Sequence, residues 1–561
     1  MDGFCNALQL RFGSITLPKE KTDIADATGQ ITIPNDEEEN EQFYRYSSGR
    51  WLFKEDEQMA KRYVRFNIQA LKWAASDAIK STCISMVKLP EGHFNKIFLL
   101  KFNNGRELIA KVPNPNAGIA HFTIASEVAT LDYLRTVLNI SVPEVSILNS
   151  HSSPSLNPVG AEYIIMEKVP GVELHQVWSD VSDPDRTSLV KDVVQIESKL
   201  AAVGFPKYGS LFYPDDVVDQ AHSGSIVKKL LPGPENNIST KFVIGPTIER
   251  AFWADERSDM NVDRGPWISP EDYFTAVVKR EIAWITSCVK QDTQADASQS
   301  KSHVELLEKF LLILPYIIPK SEDIRSPTLW HTDLHRGNIF VDSPQSPQIS
   351  GIIDWQGVCI APFFLQARFA SAFDCDWDYP WGAVMPPPLQ TNFDELSIED
   401  QHNAQVEYKE VKLKKFYEVA SRKFNPRLFR ALDAMQIDDE HLIPSIFDLV
   451  GRSWVDGLMP LRHLLVQIAL DWDKLTDSTI ITCPISFSRN EIERSSKDME
   501  RWAIAYNKFH AIRSKLVGKD GWVPNDEYHD AKAQLMSHKE DMKELQAELK
   551  AAGGTGLDDV F

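Results

Sequence analysis

The stretch "TLWHTDLHRGNIFVD", residues 328–342, places Asp333 five positions before Asn338 and ahead of an apolar run. A second strand-like segment, "ISGIIDW", follows a short turn and carries Asp354 near its end. An aspartate, an asparagine five residues later, a hairpin and another aspartate form the layout that phosphoryl transfer requires. Asp333 would accept or orient the proton of an attacking hydroxyl, while oxygen atoms of Asn338 and Asp354 would hold Mg²⁺ on the phosphates.

Two histidines, His331 and His335, flank Asp333 and admit two interpretations. In the first, both histidines bond to the backbone of the loop and orient Asp333. In the second, the histidines and Asp333 hold zinc or iron, together with a fourth ligand elsewhere, in a hydrolase. The metal interpretation explains neither Asn338 nor Asp354, so the orienting role is favoured.

The elements that must position these groups begin with three predicted strands in residues 84–112, "ISMVK", "IFLLKF" and "RELIAKV". Asn104-Gly105 between the last two predicts a tight hairpin in which both residues need positive φ. The loop before the second strand, 89–96, bends around Gly92, where a backbone without a side chain could approach a ligand. Taken alone, this single glycine favours an ordinary turn.

A lysine, Lys111, lies among apolar residues near the end of the third strand, in "IAKVP". The next segment, 123–139, has apolar residues at helical spacing and carries Glu127 in its first two turns. A strand lysine followed by a helix glutamate is the arrangement in which the acid orients the lysine toward nucleotide phosphates. Without the motif around Asp333, both residues would be interpreted as solvated surface charges.

A connection between lobes is predicted in "AEYIIMEKVPG", residues 161–171, where a buried-looking strand leads through Met166, Glu167 and Lys168 to a Pro-Gly break. Backbone groups there could pair with an adenine edge. A plain strand-to-helix connection is equally compatible with the segment.

Composition describes an ordinary globular chain. Its 561 residues, 43% hydrophobic and 25% charged, can bury a large core and should split into at least two lobes. The net charge of -20 argues against sequence-independent binding to nucleic acid. No apolar run is long enough for a membrane span. The six cysteines are scattered along the chain, which fits reduced thiols. The first thirty residues lack the pattern of a presequence. These residues favour a cytoplasmic protein.

The motif pair "HTDLHRGN" and "GIIDW" resembles that of aminoglycoside phosphotransferase and choline kinase-like enzymes. Thr332 and Arg336 depart from the commoner glycine and proline of that motif. Further segments, "EGHFNKIFLL", "SEVATLDYLR", "VGAEYIIMEKVPGV" and "DRGPWISPEDYF", are similar to a fungal subgroup called altered-inheritance-of-mitochondria phosphotransferase-like proteins. The similarity spans roughly residues 45–530.

The resemblance implies an α+β, two-lobed protein-kinase-like fold with ATP and Mg²⁺ in the cleft and a small hydroxylated molecule as substrate. It implies Asp333 as base, Lys111 and Glu127 on the phosphates and Met166 to Lys168 as the hinge. Asn338 and Asp354 would be the metal ligands. The subgroup name points to mitochondria. The expected divisions are a flexible tail (1–45), a nucleotide-binding β-rich lobe (46–166), a catalytic and substrate-binding helical lobe (167–524) and a helical extension (525–561).

Several expectations stay open at this level. The chain is an active kinase, or a pseudokinase that keeps the fold and acts as a binding module. Asp374, Asp376 and Asp378 either attract a cationic amine or form a solvated acidic loop. Residues 445–472 are expected in the core of the helical lobe. Residues 525–552 predict a long exposed helix ended by Gly553-Gly554.

Overall fold

The computed structural model has a small β-rich lobe and a large, mainly helical lobe, which confirms the expected α+β, two-lobed protein-kinase-like fold. It describes residues 37–151, 155–221, 231–232, 241–288, 294–375, 377, 379–382, 388–389, 393–435, 442–453, 457–476, 481–516 and 521–551. Asp376, Asp378 and Gly553-Gly554 lie outside the described residues.

The small lobe is built around one antiparallel sheet with strand order β2-β3-β4-β6-β5. Its elements are, in chain order, α1 (Glu37–Tyr44), β1 (Arg50–Trp51), α2 (Glu55–Ala60), α3 (Ile68–Ile79), β2 (Cys83–Lys88), β3 (Asn95–Phe102), β4 (Glu107–Pro113), α4 (Phe122–Thr136), β5 (Val145–Asn149) and β6 (Tyr163–Glu167). Because side chains alternate between the faces of a strand, Ile165 packs in the cluster that contains α3, whereas Ile164 packs with Ile124 and Val128 of α4.

The predicted hairpin between β3 and β4 is confirmed, but its turn differs from the expected one. The Phe102 N–H donates to the Arg106 carbonyl, which closes a three-residue loop. Gly105 has φ +81°, whereas Asn104 keeps a negative φ. The prediction that both residues need positive φ was therefore wrong for Asn104, since a three-residue loop needs only one left-handed position.

Part of the expected tail is structured. Residues 37–44 form α1, and Phe43 is fully buried and stacks on Phe98 of the sheet at 5.7 Å. These residues belong to the segment expected to be a flexible tail (1–45), and they form a helix that packs on the sheet because Phe43 supplies an apolar ring within the acidic run.

The large lobe follows β6. Its elements are, in chain order, β7 (Val172–Glu173), α5 (Leu174–Val177), α6 (Asp183–Ala201), β8 (Ser210–Phe212), α7 (Pro214–Ala221), β9 (Leu231–Pro232), β10 (Val243–Gly245), α8 (Pro270–Ser287), α9 (Gln294–Ile317), α10 (Glu322–Arg325), β11 (Pro327–Leu329), β12 (Ile339–Val341), β13 (Ile349–Ile352), β14 (Ile360–Pro362), α11 (Phe363–Gln366), α12 (Ile398–Phe424), α13 (Pro426–Ala434), α14 (Leu442–Val450), α15 (Leu458–Leu470), α16 (Trp472–Leu475), α17 (Arg489–Leu516), β15 (Trp522–Val523), α18 (Tyr528–Ser537) and α19 (Lys539–Ala551). Short 3₁₀ turns include Arg336–Asn338.

Helices α14 and α15 lie in the core of the large lobe, as the apolar spacing in 445–472 predicted. Ile446, Leu461 and Leu465 are fully buried in one cluster with residues of α8 and α9. The β12–β13 hairpin predicted from "NIFV" and "ISGIIDW" is also present. None of the described helices combines the length and apolar character needed to cross a bilayer.

The C-terminal segment forms two helices, α18 and α19, instead of one long exposed helix. Met542 and Leu549 are fully buried in a cluster with Trp502 and Phe509 of α17. The prediction of exposure was wrong because α17 provides an apolar partner for the stripe, which the local pattern does not show.

The two-stranded sheet β1-β15 joins distant parts of the chain. Arg50 lies opposite Val523, and Trp51 lies opposite Trp522. Trp51 is fully buried. Residues after α17 therefore return to the small lobe and pair with its first strand.

Candidate active site

The loop that carries Asp333 runs between β11 and β12 and is fixed by His331. The Asp333 N–H donates to His331 Nδ1 at 3.3 Å, so Nε2 carries the ring proton and donates to the Ile353 carbonyl at 3.1 Å. Burial lowers the pKa of His331, which keeps the ring neutral. His331 thus connects this loop to the strand end that precedes Asp354, and both of its ring nitrogens are engaged.

Within the same loop, Asn338 lies against Asp333. The Asn338 Nδ2 group donates to the Asp333 carbonyl oxygen at 2.9 Å. His335 Nδ1 accepts from the Gly337 N–H at 3.0 Å, and His335 Nε2 lies 4.0 Å from Asp333 Oδ2. The Asp333 side chain is 68% exposed. The loop therefore presents its carboxylate outward while backbone contacts hold its shape.

Asp354 follows β13 in an unusual backbone conformation, with φ +61°. Non-glycine residues rarely adopt this region, and they persist there only where neighbouring contacts hold them. The Ile353 N–H donates to the Asn338 carbonyl at 3.0 Å, and the buried Trp355 ring donates to the Ile352 carbonyl at 3.1 Å. These contacts on either side direct a half-exposed Asp354 side chain away from the core.

Lys111 lies between two carboxylates. Its ammonium group donates to Glu127 Oε1 at 2.7 Å and Oε2 at 2.9 Å, and it lies 3.8 Å from Asp354 Oδ1. Lys111 and Glu127 are almost fully buried. Burial raises the pKa of Glu127, and the Lys111 charge opposes that rise. The structure thus brings together Lys111 and Glu127 from the small lobe with Asp354 from the large lobe.

Gly92 has an exposed position in the 89–96 loop, where an added Cβ would meet no atom within 4 Å. The loop is held instead by Glu91, which sequence reasoning missed. Glu91 lies 2.6 Å from Lys88 Nζ and 3.0 Å from Lys96 Nζ, and it accepts from the Ser47 N–H at 2.8 Å. Desolvation lowers the pKa of Lys96 to about 8. The signal available in the sequence was Lys88, which lies between Val87 and Leu89 and three residues before Glu91.

The predicted hinge residues have structural partners. Met166 packs partly buried on the sheet face that α4 covers. Glu167 Oε2 accepts from the Glu144 N–H at 3.2 Å, and Lys168 Nζ lies 2.6 Å from Glu107 Oε2. The three side chains therefore stabilise the small lobe itself. This leaves the backbone groups of this segment for the predicted contact with an adenine edge.

Arg336, which stands where a proline is commoner, is held by residues outside the Asp333 loop. Its Nε donates to the Ala372 carbonyl at 2.7 Å, and its guanidinium pairs with Glu410 at 2.9 Å and lies 4.0 Å from the Trp178 ring centre. Burial lowers its pKa. Arg336 therefore ties the loop to α12 and to the segment after β14.

The acidic residues proposed as an amine attractor are not all available. Asp374 pairs with Lys414 at 2.6 Å, so its charge is already compensated. Among the described residues, no group of three or more histidines, cysteines, aspartates or glutamates is arranged to hold a metal ion. Both ring nitrogens of His331 are engaged in hydrogen bonds, which leaves neither free to bind zinc or iron.

Comparisons with known proteins show what this chain is similar to. The family model described as phosphotransferase enzyme family matches residues 85–365, which contain the loop, Lys111, Glu127 and Asp354. A subtelomeric hrmA-associated cluster protein of Aspergillus fumigatus is 32% identical over 80% of this chain and 91% of its own length. The altered inheritance of mitochondria protein 9, mitochondrial, of Saccharomyces cerevisiae is 23% identical over 91% of each chain.

The solved structures that align with this chain are less similar to it in sequence than these relatives. The GDP and kanamycin complex of APH(2")-IIia aligns with TM-score 0.33 and 12% identity, over 77% of this chain and 99% of that chain. A putative fructosamine-3-kinase from Thermobifida fusca aligns with TM-score 0.32 and 13% identity, over 65% and 100%. The family model, which matches half of the chain, settles the assignment: this chain belongs to the phosphotransferase enzyme family.

Proposed function

We propose that this protein transfers the γ-phosphoryl group of ATP to a hydroxyl group of a small molecule, with Mg²⁺ as the metal. The observation that carries the proposal is the contact of Lys111 with both Glu127 and Asp354. An ammonium held by one carboxylate beside another is suited to bind phosphates next to a metal ligand. Lobes of 46–166 and 167–524 would enclose this cleft, and 525–561 would form a C-terminal extension.

The residues fit Mg²⁺. Asn338 uses its amide nitrogen on the Asp333 carbonyl, which leaves its oxygen as a ligand. Asp354 adds a half-exposed carboxylate. Oxygen ligands of this kind suit a hard cation that also keeps water and phosphate oxygens in its shell. When bound, Mg²⁺ would neutralise charge on the phosphates.

The chain's own residues would do the remaining work. Asp333, exposed at the loop surface, would accept or orient the proton of the acceptor hydroxyl. Lys111 would bind phosphate oxygens while Glu127 holds its ammonium in place. His331 and His335 would keep Asp333 oriented through the loop contacts. Backbone groups of Met166 to Lys168, and the loop around Gly92, would hold the base and cover the phosphates.

Thermal unfolding of the purified protein, with and without ATP and Mg²⁺, tests the proposal together with the Asp354→Asn variant. A ligand at about 100 times its Kd adds roughly 2.7 kcal/mol to the free energy of unfolding. A Mg²⁺-dependent shift that Asp354→Asn abolishes is the expected result. No shift in the wild-type protein would contradict the nucleotide site, and a shift without turnover on any acceptor would favour the pseudokinase.

A mitochondrial location is part of the proposal, because the Saccharomyces relative is named as mitochondrial. Imaging of the tagged full-length chain against a mitochondrial marker tests it. Exclusive signal in the cytosol would overturn this assignment and leave the phosphotransferase proposal intact.

A further inference from the structure

A hydrogen bond crosses the cleft beside the proposed metal ligand. Asn95 Nδ2 donates to Gln356 Oε1 at 2.6 Å. Asn95 is the first residue of β3 and lies near the end of the 89–96 loop, and Gln356 lies two residues after Asp354. This cross-lobe hydrogen bond joins positions 261 residues apart.

The strand register places Asn95 on the functional face of the sheet. In the β3–β4 pair, Ile97 lies opposite Lys111 and Asn95 lies opposite Pro113. Residues directly opposite each other in an antiparallel pair share a face, and so do residues two apart on one strand. Asn95 therefore shares the face of Lys111 and is its diagonal neighbour. The cross-lobe hydrogen bond starts beside the lysine and ends beside Asp354.

The pair retains polar atoms that an apolar contact would not have. Asn95 Oδ1 and Gln356 Nε2 are buried and have no hydrogen-bond partner in the described residues. Interchanging oxygen and nitrogen in both amides would still leave one acceptor and one donor unused. A buried unpaired polar atom costs about 1–3 kcal/mol. Such a cost is unexpected for a contact that serves packing alone.

The turn around Asp354 has anchors from both lobes. His331 holds the Ile353 carbonyl from the large lobe, and the buried Trp355 ring adds a second anchor there. Asn95 holds Gln356 from the small lobe. Because Asp354 has a strained left-handed backbone between these anchors, loss of one lets the turn relax.

We propose that Asn95 and Gln356 are positioning residues, which set the Asp354 carboxylate against Lys111 when the lobes close. The inference rests on the proposed function for its nucleotide readout. It requires that the cross-lobe hydrogen bond contributes to the Mg²⁺-dependent part of nucleotide affinity. Affinity for the nucleotide without metal depends on Lys111 and the hinge, and it should not change.

A double-mutant cycle tests the pair. Asn95→Ala, Gln356→Ala and the double variant are compared with the wild-type full-length protein by calorimetric titration with ADP, in Mg²⁺ and in EDTA. Each single variant should weaken Mg²⁺-ADP binding about three- to tenfold, the effect of one net hydrogen bond, and the double variant should be no weaker than the singles. Binding in EDTA should be unchanged.

Two further variants provide controls. The exchanged pair Asn95→Gln with Gln356→Asn keeps both amide groups and the combined length of the two side chains. It should recover most of the affinity for Mg²⁺-ADP. Gln345→Ala removes an exposed amide from the β12–β13 turn and should have no effect. Additive losses in the double variant, or equal losses with and without Mg²⁺, would overturn the positioning role.

Hydrogen exchange of the ligand-free protein separates this inference from the proposed function. Asn95→Ala should increase exchange of amides in 353–358 several-fold, although the substitution lies in the other lobe. Unchanged exchange there overturns the positioning role whatever the nucleotide result. If wild-type protein fails to bind Mg²⁺-ADP while exchange responds, the proposed nucleotide function fails and the mechanical link between the lobes stands.

Discussion

The Lys111 ammonium donates to both carboxylate oxygens of Glu127, at 2.7 and 2.9 Å, with both side chains almost fully buried. A buried pair is not strong evidence of stabilisation by itself, because desolvation offsets much of the attraction. Removing Glu127 is different, since the buried Lys111 charge then keeps only the more distant, half-exposed Asp354 carboxylate at 3.8 Å. The contribution of this pair to stability is therefore best measured by substituting one of its two residues.

Glu127→Ala should lower the free energy of unfolding by about 3 kcal/mol, the lower end of the effect of breaking a buried pair, because Asp354 still compensates part of the Lys111 charge. Urea denaturation measures it. Lys168→Ala is the matched control, because its ion pair with Glu107 lies at the surface and such pairs contribute about 0–1 kcal/mol. Equal losses in the two variants would contradict the buried-charge argument.

Asp333→Asn should keep Mg²⁺-nucleotide affinity and lower kcat by roughly 10²–10⁴, the usual contribution of a general base. The carboxylate is exposed, and the loop is held by backbone contacts, so the substitution should leave the fold intact. Steady-state kinetics with an identified acceptor, paired with calorimetry, measures both quantities. Unchanged turnover would show that Asp333 is not the base.

Arg336→Ala should destabilise the protein by about 1–3 kcal/mol, because Glu410 and the Ala372 carbonyl lose a donor in a largely buried place. It should also lower kcat more than it changes the KM for ATP, since it supports the Asp333 loop and lies away from Lys111. Arg336→Lys should not recover the loss, because an ammonium cannot make both bonds while lying over Trp178. Full recovery by lysine would contradict this role.

Glu197 gives a pH test. Its carboxyl accepts from the Tyr417 hydroxyl at 2.6 Å, and it lines a small cavity with His331 and Trp355 beneath the Asp333 loop. Desolvation raises the pKa of Glu197 from 4.5 to about 8. Since the folded pKa lies above the unfolded one, its contribution to stability is complete below about pH 4.5 and is lost as pH rises toward 8.

Glu197→Gln stays neutral throughout and should lack this loss. The variant should equal or fall slightly below the wild type at pH 5 and exceed it at pH 8, by up to roughly 4 kcal/mol. Denaturation at several pH values measures the difference. A difference independent of pH would show that Glu197 is already ionised in the folded protein.

Local patterns were sufficient for the elements that carry the candidate chemistry. Each of these elements was predicted from its own residues and those of the neighbouring element. They are the β3–β4 strands with Lys111, the helix with Glu127 and the β12–β13 hairpin before Asp354. Periodicity and turn chemistry are local, so a single sequence records them. The sequence predicted that His331 makes an orienting hydrogen bond to backbone, but not that its partner is the Ile353 carbonyl.

Contacts between distant segments were not predictable. The sequence offers no signal that Asn95 meets Gln356, or that Lys414 compensates Asp374. The C-terminal stripe with Met542 was assigned to solvent for the same reason, because its burial depends on α17. Burial of a polar group is decided by what packs on it, and that information lies elsewhere in the chain.

The strand pair of Arg50–Trp51 with Trp522–Val523 changes how a minimal fragment should be designed. Residues 85–365 contain every candidate chemical group. The 89–96 loop has the Glu91 ion pairs within that block, but two further contacts come from outside it: the Ser47 N–H donates to Glu91, and the Trp522 ring lies 6.0 Å from His93. A truncated recombinant domain would keep the reactive groups and lose the scaffold that aligns them.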